Sequence, residues 1–209
     1  VNSLTIALIN TVISTILGVL LAIALWRFRF PGKAPYEGFM VLPIVIPEIC
    51  MGVAMLAFFA RIGWPTDLPW PLTLANITIA HIAFSFPFVA VTVRGRLVGF
   101  NRELEDASKD LGANEWQTMR YIVLPYLRPG IVAGALIAFT LSLDDFVITF
   151  FTAGPESVTL PVKIFSMVRF SVTPEVNAAS TVLIVLTVIT VVLAMRFQGP
   201  SSREGPEGI

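Results

Sequence analysis

The sequence predicts an all-α integral membrane protein, a polytopic bundle of apolar helices. Three observations lead there. Of the 209 residues, 56% are hydrophobic and only 13% charged, with a mean hydropathy of +0.81. A soluble domain carries about 25% charged residues, so neither a water-soluble globule nor a disordered chain fits. The apolar residues gather in runs of about 20, the length that crosses a bilayer as a helix. Such runs are too long for the roughly 10-residue strands of a membrane β-barrel. Net charge is zero, from 14 basic and 14 acidic side chains, which offers nucleic acid no basic surface. Cys50 is the single cysteine, so there is no disulfide framework and no cysteine-rich metal site.

The first run, residues 4–26, contains no charge. The second, residues 39–60, is interrupted by Glu48, and Pro43 and Pro47 predict a kink there. The third, residues 72–93, has His81 as its one titratable group. The fourth, residues 129–143, is short and is expected to extend at one or both ends; residues 177–195 form the fifth. In lipid the backbone must be bonded within its own segment, so these runs should be helices or lie inside a bundle. Arg27, Arg29 and Lys33 follow the first run. Arg94, Arg96, Arg102, Lys109 and Arg120 lie between the third and fourth, and Arg196 and Arg203 follow the fifth. The other loops hold only Arg61, Lys163 and Arg169. The positive-inside rule then puts the C-terminus in the cytoplasm and, with five spans visible, the N-terminus outside. The chain enters a span almost directly from Val1 without a basic leader, so it does not read as a signal peptide. The expectation is that an N-terminal span is missing. The Gly-, Pro-, Ser- and Glu-rich residues 198–209 read as a disordered tail, leaving residues 1–197 as one transmembrane domain.

Residues 101–129 are the most informative connector. Asn101 suits the cap of a helix starting at Arg102. Leu104, Ala107, Ser108 and Leu111 fall at i, i+3, i+4 and i+7 and form one face. Gly112 suits the left-handed residue that ends a helix. Asn114, with Gln117 three residues on, predicts a capping box opening a second helix. The small Ala107 and Ser108 favour close approach of another protein. The plainer alternative is an amphipathic helix lying on the membrane surface.

Charges at mid-membrane cost a few kcal/mol or more and face a pathway or a partner. Glu48 is one such residue; its alternative is a protonated carboxyl bonded to a carbonyl freed by the prolines. Asp144 and Asp145 close the fourth run. Neighbours on a helix diverge by about 100°, so at most one of them faces a central path and the other can cap the next segment. His81 reads as a bonded core residue, with no second His or Cys to build a metal site. Neither metal nor cofactor is expected. Trp26, Trp64 and Trp70 suit the membrane interfaces. Residues 160–170 form an amphipathic run expected at the outer interface.

The stretch Leu104-Glu105-Asp106-Ala107-Ser108-Lys109-Asp110-Leu111-Gly112, followed by Ile122-Val123-Leu124-Pro125, resembles the EAA loop of type I ABC importer permeases. Asp106 and Ser108 stand where Glu and the second Ala are commonest, keeping charge sign and small size. Residues 139–148, 159–169 and 173–178, together with 27–33 and 98–100, are similar to the second permease subunit of spermidine/putrescine importers. The likeness covers nearly the whole chain. It implies the type I ABC importer transmembrane fold in a bacterial inner membrane. It also implies Asp106, Ala107, Ser108 and Gly112 as coupling contacts with a cytoplasmic ABC ATPase dimer. The same resemblance implies a second permease subunit beside the chain and an extracytoplasmic solute-binding protein. The implied solute is small, a polyamine first, with an opine or a phosphonate as alternatives, moved by alternating access. Glu48, Asp144 and Asp145 are the candidate solute path. No G-x-x-x-x-G-K-[ST] loop occurs, so ATP falls to a partner and the chain is not expected to be an enzyme. An intramembrane hydrolase would need a constellation such as H-E-x-x-H or G-x-S-x-G, and neither is present. An ion-driven secondary transporter would show internal repeats or paired broken helices, and none is visible.

Overall fold

The uninterrupted apolar run at the start of the chain becomes one helix, α1, over Asn2–Arg27. The computed structural model describes residues 1–28, 31–63, 74–154, 157–170 and 173–198. Trp64, Trp70, Arg29, Arg203 and all of the expected tail but Gln198 lie outside the described residues. After α1 come α2 (Lys33–Val45), α3 (Glu48–Ile62), α4 (Ala75–Leu97), α5 (Glu103–Asp110) and α6 (Glu115–Thr118). A π turn over Met119–Val123 leads into α7 (Leu124–Asp144), and α8 (Val147–Thr152), α9 (Leu160–Val168) and α10 (Pro174–Gln198) complete the order. Among the described residues there is no strand. Four stretches are long and apolar enough to cross a membrane: Asn2–Arg27, Ala75–Leu97, Glu115–Asp144 and Pro174–Phe197.

The second apolar run departs from expectation. It is not one kinked helix but a pair, α2 and α3, bent by 104°, which has the form of a broken span or of a re-entrant loop. The cause is local. Ile46 precedes Pro47, whose ring disfavours helical backbone in the residue before it. Ile46 is accordingly extended at φ −69, ψ 134, and Pro47 at φ −54, ψ 135 opens α3. Pro43 is tolerated inside α2. The fourth run begins at Leu124, earlier than its hydropathy indicated, and continues from α6. Pro125 cannot donate to the carbonyl of Tyr121, and the backbone just before it widens into the π turn.

α1, α4 and α7 pack on one another as the centre of the bundle; α10 covers α7, α2 lies on α4, and α8 bridges α3 and α4. The buried face of α1 is Ser3, Ile6, Ala7, Asn10, Ser14, Gly18, Ala22 and Leu25, while Leu4, Leu8, Val12, Ile16 and Leu20 point outward. Apart from Ile6 and Leu25, small and polar residues sit inside, while these large apolar ones face outward. In lipid that arrangement lets helix backbones approach, because hydrocarbon does not drive leucine inward. Asn10 is fully buried; its amide donates to the Ala138 carbonyl at 3.0 Å and to Ser85 at 3.3 Å, and accepts from Ser14 at 3.0 Å. One side chain thus joins α1, α4 and α7. Near the Arg27 end the same helices enclose Ala22, Val89, Val93, Leu97, Val123 and Leu127.

Candidate functional site

The break between α2 and α3 sets the first half of the site. It turns Glu48 from the middle of an apolar run into the first residue of α3. The end of α7 sets the other half. Asp144 is its last residue, and Asp145 comes next with extended backbone at φ −61, ψ 125.

The two aspartates separate sharply. Asp145 is buried and caps α8. It accepts from the Thr149 backbone N–H at 2.8 Å, the Thr149 hydroxyl at 2.8 Å and the Ile148 N–H at 3.3 Å. His81 of α4 is 2% exposed, and its Nε2 lies 2.9 Å from Thr149 Oγ1 and 3.2 Å from Asp145 Oδ2. Its Nδ1 lies 2.7 Å from Ser142 Oγ. One proton arrangement satisfies every member: Nε2–H donates toward Thr149 and Asp145, and Nδ1 accepts from Ser142. His81 is the bonded core residue the sequence indicates, and the carboxylate of Asp145 is buried and engaged at the start of α8. Replacing Asp145 with Asn turns one acceptor into a donor facing donors. The variant should lose about 1–3 kcal/mol of folded stability, read as a lower yield of assembled complex. Uptake per assembled complex should be unchanged, and a specific fall in that ratio would count against a capping role.

Asp144 and Glu48 are both exposed. α3, which Glu48 opens, packs on α8, which begins three residues after Asp144, so the two exposed carboxylates stand at the ends of neighbouring parts of the bundle. Among the described residues no salt bridge engages either of them. Two acids with no salt bridge among the described residues, one opening α3 and one closing α7, can hold a cation and together oppose an anion.

The second candidate region is the elbow of α5 and α6. Gly112 turns the chain at φ +86, where a Cβ would be strained. The capping box forms: the Asn114 N–H donates to Gln117 Oε1 at 2.8 Å, and the Gln117 N–H donates to Asn114 Oδ1 at 2.9 Å. Asn101 accepts from the Glu103 N–H at 3.0 Å, so α5 starts one residue later than expected. The face of α5 differs from the sequence reading. Ser108 turns inward, where its hydroxyl donates to the Glu105 carbonyl at 2.8 Å and meets Thr118 Oγ1 at 2.7 Å. Ser108 and Glu105 are buried, whereas Asp106, Ala107 and Gly112 remain open beside Leu104 at 49% and Leu111 at 90% exposure. Ser108 therefore fastens α5 to α6 and lies outside the open face. Sequence reasoning also missed Asn10 and the contacts of Arg27. Asn10, Ser14 and Gly18 recur at i, i+4 and i+8, a small and polar stripe that was the available signal. Nothing local ties Arg27 to residues some 80 positions on.

Long apolar helices, a bent pair with an acid at its break, and a two-helix elbow describe a polytopic helical membrane protein. The chain belongs to the family of binding-protein-dependent transport system inner membrane components, matching it over residues 14–202. It is 43% identical to the spermidine/putrescine transport system permease protein PotC of Haemophilus influenzae, over 93% of this chain and 73% of that one. It is 40% identical to the putrescine transport system permease protein PotI of Escherichia coli, over 87% of this chain and 65% of that one. Its fold is similar to a chain of the MetNI methionine ABC transporter in an inward-facing conformation. That likeness has a TM-score of 0.74 at 18% identity and covers 94% of this chain and 91% of that one. The chain is thus a multi-pass inner-membrane permease subunit of an ABC importer and not itself an enzyme. Membership of the family implies an ATPase, a solute-binding protein and a second permease as partners.

Proposed function

We propose that this subunit forms half of the path for a polyamine of the spermidine or putrescine class, with Glu48 and Asp144 as cation-holding steps. The observation that carries the reading is the exposed pair of carboxylates with no salt-bridge partner among the described residues. The 43% identity with a relative named for spermidine and putrescine supports it. A polyamine must shed water to enter a narrow path, and fixed carboxylates replace that hydration, as acidic rings do in cation channels. The α5–α6 elbow and the C-terminus face the cytoplasm in this reading, where an ATPase dimer docks on Leu104, Ala107 and Leu111. The binding protein delivers solute on the opposite side. ATP closes the ATPase pair, the elbow moves with it, and the spans turn outward.

The test is uptake of radiolabelled spermidine by proteoliposomes holding the whole transporter. Glu48→Gln and Asp144→Asn should each lower uptake per assembled complex about tenfold or more, the scale of a lost charged hydrogen bond. Co-purification with the ATPase should persist. Unchanged uptake in both variants would sink the acidic path and weaken the polyamine assignment with it.

A further inference from the structure

The Arg27 end of α1 carries more charged contacts than its position in an apolar helix explains. Arg27 Nη2 is ion-paired with Glu115 of α6. Arg27 Nη1 lies 3.6 Å from Glu105 of α5. Lys109 Nζ reaches the other Glu115 oxygen at 2.7 Å. Arg102 stacks on the Trp26 ring at 4.8 Å and donates to the Trp26 carbonyl at 3.5 Å. The Trp26 ring meets Phe100 edge-on at 5.5 Å, and Phe100 meets Tyr126 at 5.0 Å.

The elbow is therefore joined to the bundle by three routes. Backbone leads from α4 through Phe100 into α5. Backbone also leads from α6 through the π turn into α7. The link to α1 has no continuous backbone and is made by the side chains of Arg27 and Arg102, with Arg27 at its centre. A guanidinium fork suits that position because two nitrogens held in one plane reach two carboxylates on two helices, whereas a lysine ammonium is a single point charge on a flexible stem.

The link is incompletely made. Arg27 Nη1 and Glu105 Oε1 are both buried, and neither has a hydrogen-bond partner. Their 3.6 Å separation exceeds hydrogen-bonding range, and each unpaired atom carries a desolvation penalty. A shift of α5 of about 1 Å or less would close the contact. A contact that strengthens in one state is what allows binding energy to move a helix.

We propose that Arg27 is a positioning residue for ATP-driven transport, holding α5 and α6 to α1 so that displacement of the elbow carries α1 with it. The inference rests on the reading of the elbow as the ATPase dock. Packing lets the motion continue inward, because Gly18 of α1 and Gly134 of α7 close on Val89 of α4 from two sides.

The test uses the whole purified transporter, with Cys50→Ser as background and spin labels at exposed Leu8 of α1 and Ile189 of α10. Electron–electron resonance reads the change in their separation when ATP is bound. Arg27→Gln should reduce that change at least about twofold, with the ATPase still bound. Arg27→Lys should fall between, and Arg27→Gln with Glu105→Gln should be no worse than the worse single variant. A full wild-type change in Arg27→Gln, strictly additive losses, or no ATP-dependent change in the parent would overturn the proposal. So would a lower yield of complex with an unaltered distance change. A parallel Leu111→Asp variant isolates the underlying reading: if it keeps the ATPase, the docking assignment fails whatever Arg27 does.

Discussion

Gly18→Ala should sharply reduce the amount of folded subunit, although it adds one methyl group. The new Cβ would lie 2.6 Å from Val89 Cβ, 2.8 Å from Val89 Cγ1 and 2.9 Å from the Phe86 carbonyl oxygen. None of these is the free end of a flexible side chain. Val89 cannot retreat either, because Gly134 approaches it from α7, with a Cβ there meeting Val89 Cγ1 at 3.0 Å. The two backbones must separate, and overpacking of this kind costs about 1–3 kcal/mol. The loss should appear as a lower melting temperature and a smaller monodisperse peak from detergent. A second substitution sharpens the test. Val89→Gly removes the struck Cβ and should restore part of the yield, whereas Val89→Ala keeps that atom and should not. Wild-type behaviour of Gly18→Ala would mean that α1 and α4 are not packed this closely. By contrast, a Cβ on Gly130 meets Arg96 Cγ at 2.8 Å, part of a long side chain that can swing aside, so Gly130→Ala should be mild.

The contrast between those glycines shows what the sequence could and could not reveal. The lengths of α1, α4 and α10 come from apolar runs, because the bilayer imposes them. The elbow was legible in detail, since Gly112, Asn114 and Gln117 act on backbone within a few residues of themselves. The inward faces were not. In a soluble helix the buried stripe is the apolar one; in α1 the outward face is apolar and the buried face is mostly small or polar, with Ile6 and Leu25 as exceptions. The bend at Ile46 and Pro47 was visible as a kink, but its 104° depends on where α2 and α3 pack, on α4 and α8.

The acidic residues divide along the same line. A sequence cannot say which of two adjacent aspartates turns inward, because the answer lies with His81 and Thr149 on other helices. With Asp145 engaged at the start of α8, Asp144 is left exposed. Ser108 is a similar case. Spacing puts it with Ala107 on one face, but a hydroxyl ten residues away, on Thr118, draws it beneath.

Leu111→Asp and Ala107→Asp should abolish transport while leaving the subunit inserted in the membrane. Leu111 is 90% exposed and Leu104 49% exposed on a short helix that stands on buried Glu105 and Ser108. Trp116, 69% exposed, extends the apolar surface onto α6. In the proposed complex this surface enters an ATPase groove, and a carboxylate there would be buried without a cation. Removing water from an unpaired charge costs several kcal/mol, enough to lower affinity by more than about a hundredfold. Loss of the ATPase on purification, with normal insertion and a normal melting temperature of the permease, is the expected result. Gly112→Val attacks the same dock by another route. It places a β-branched side chain at φ +86, where backbone strain and not charge displaces α5. The two routes separate the alternatives. If the elbow lies on the membrane surface, Leu111→Asp should loosen it from lipid while ATP-driven uptake continues. If it is the dock, uptake and ATPase co-purification should fall together in all three variants.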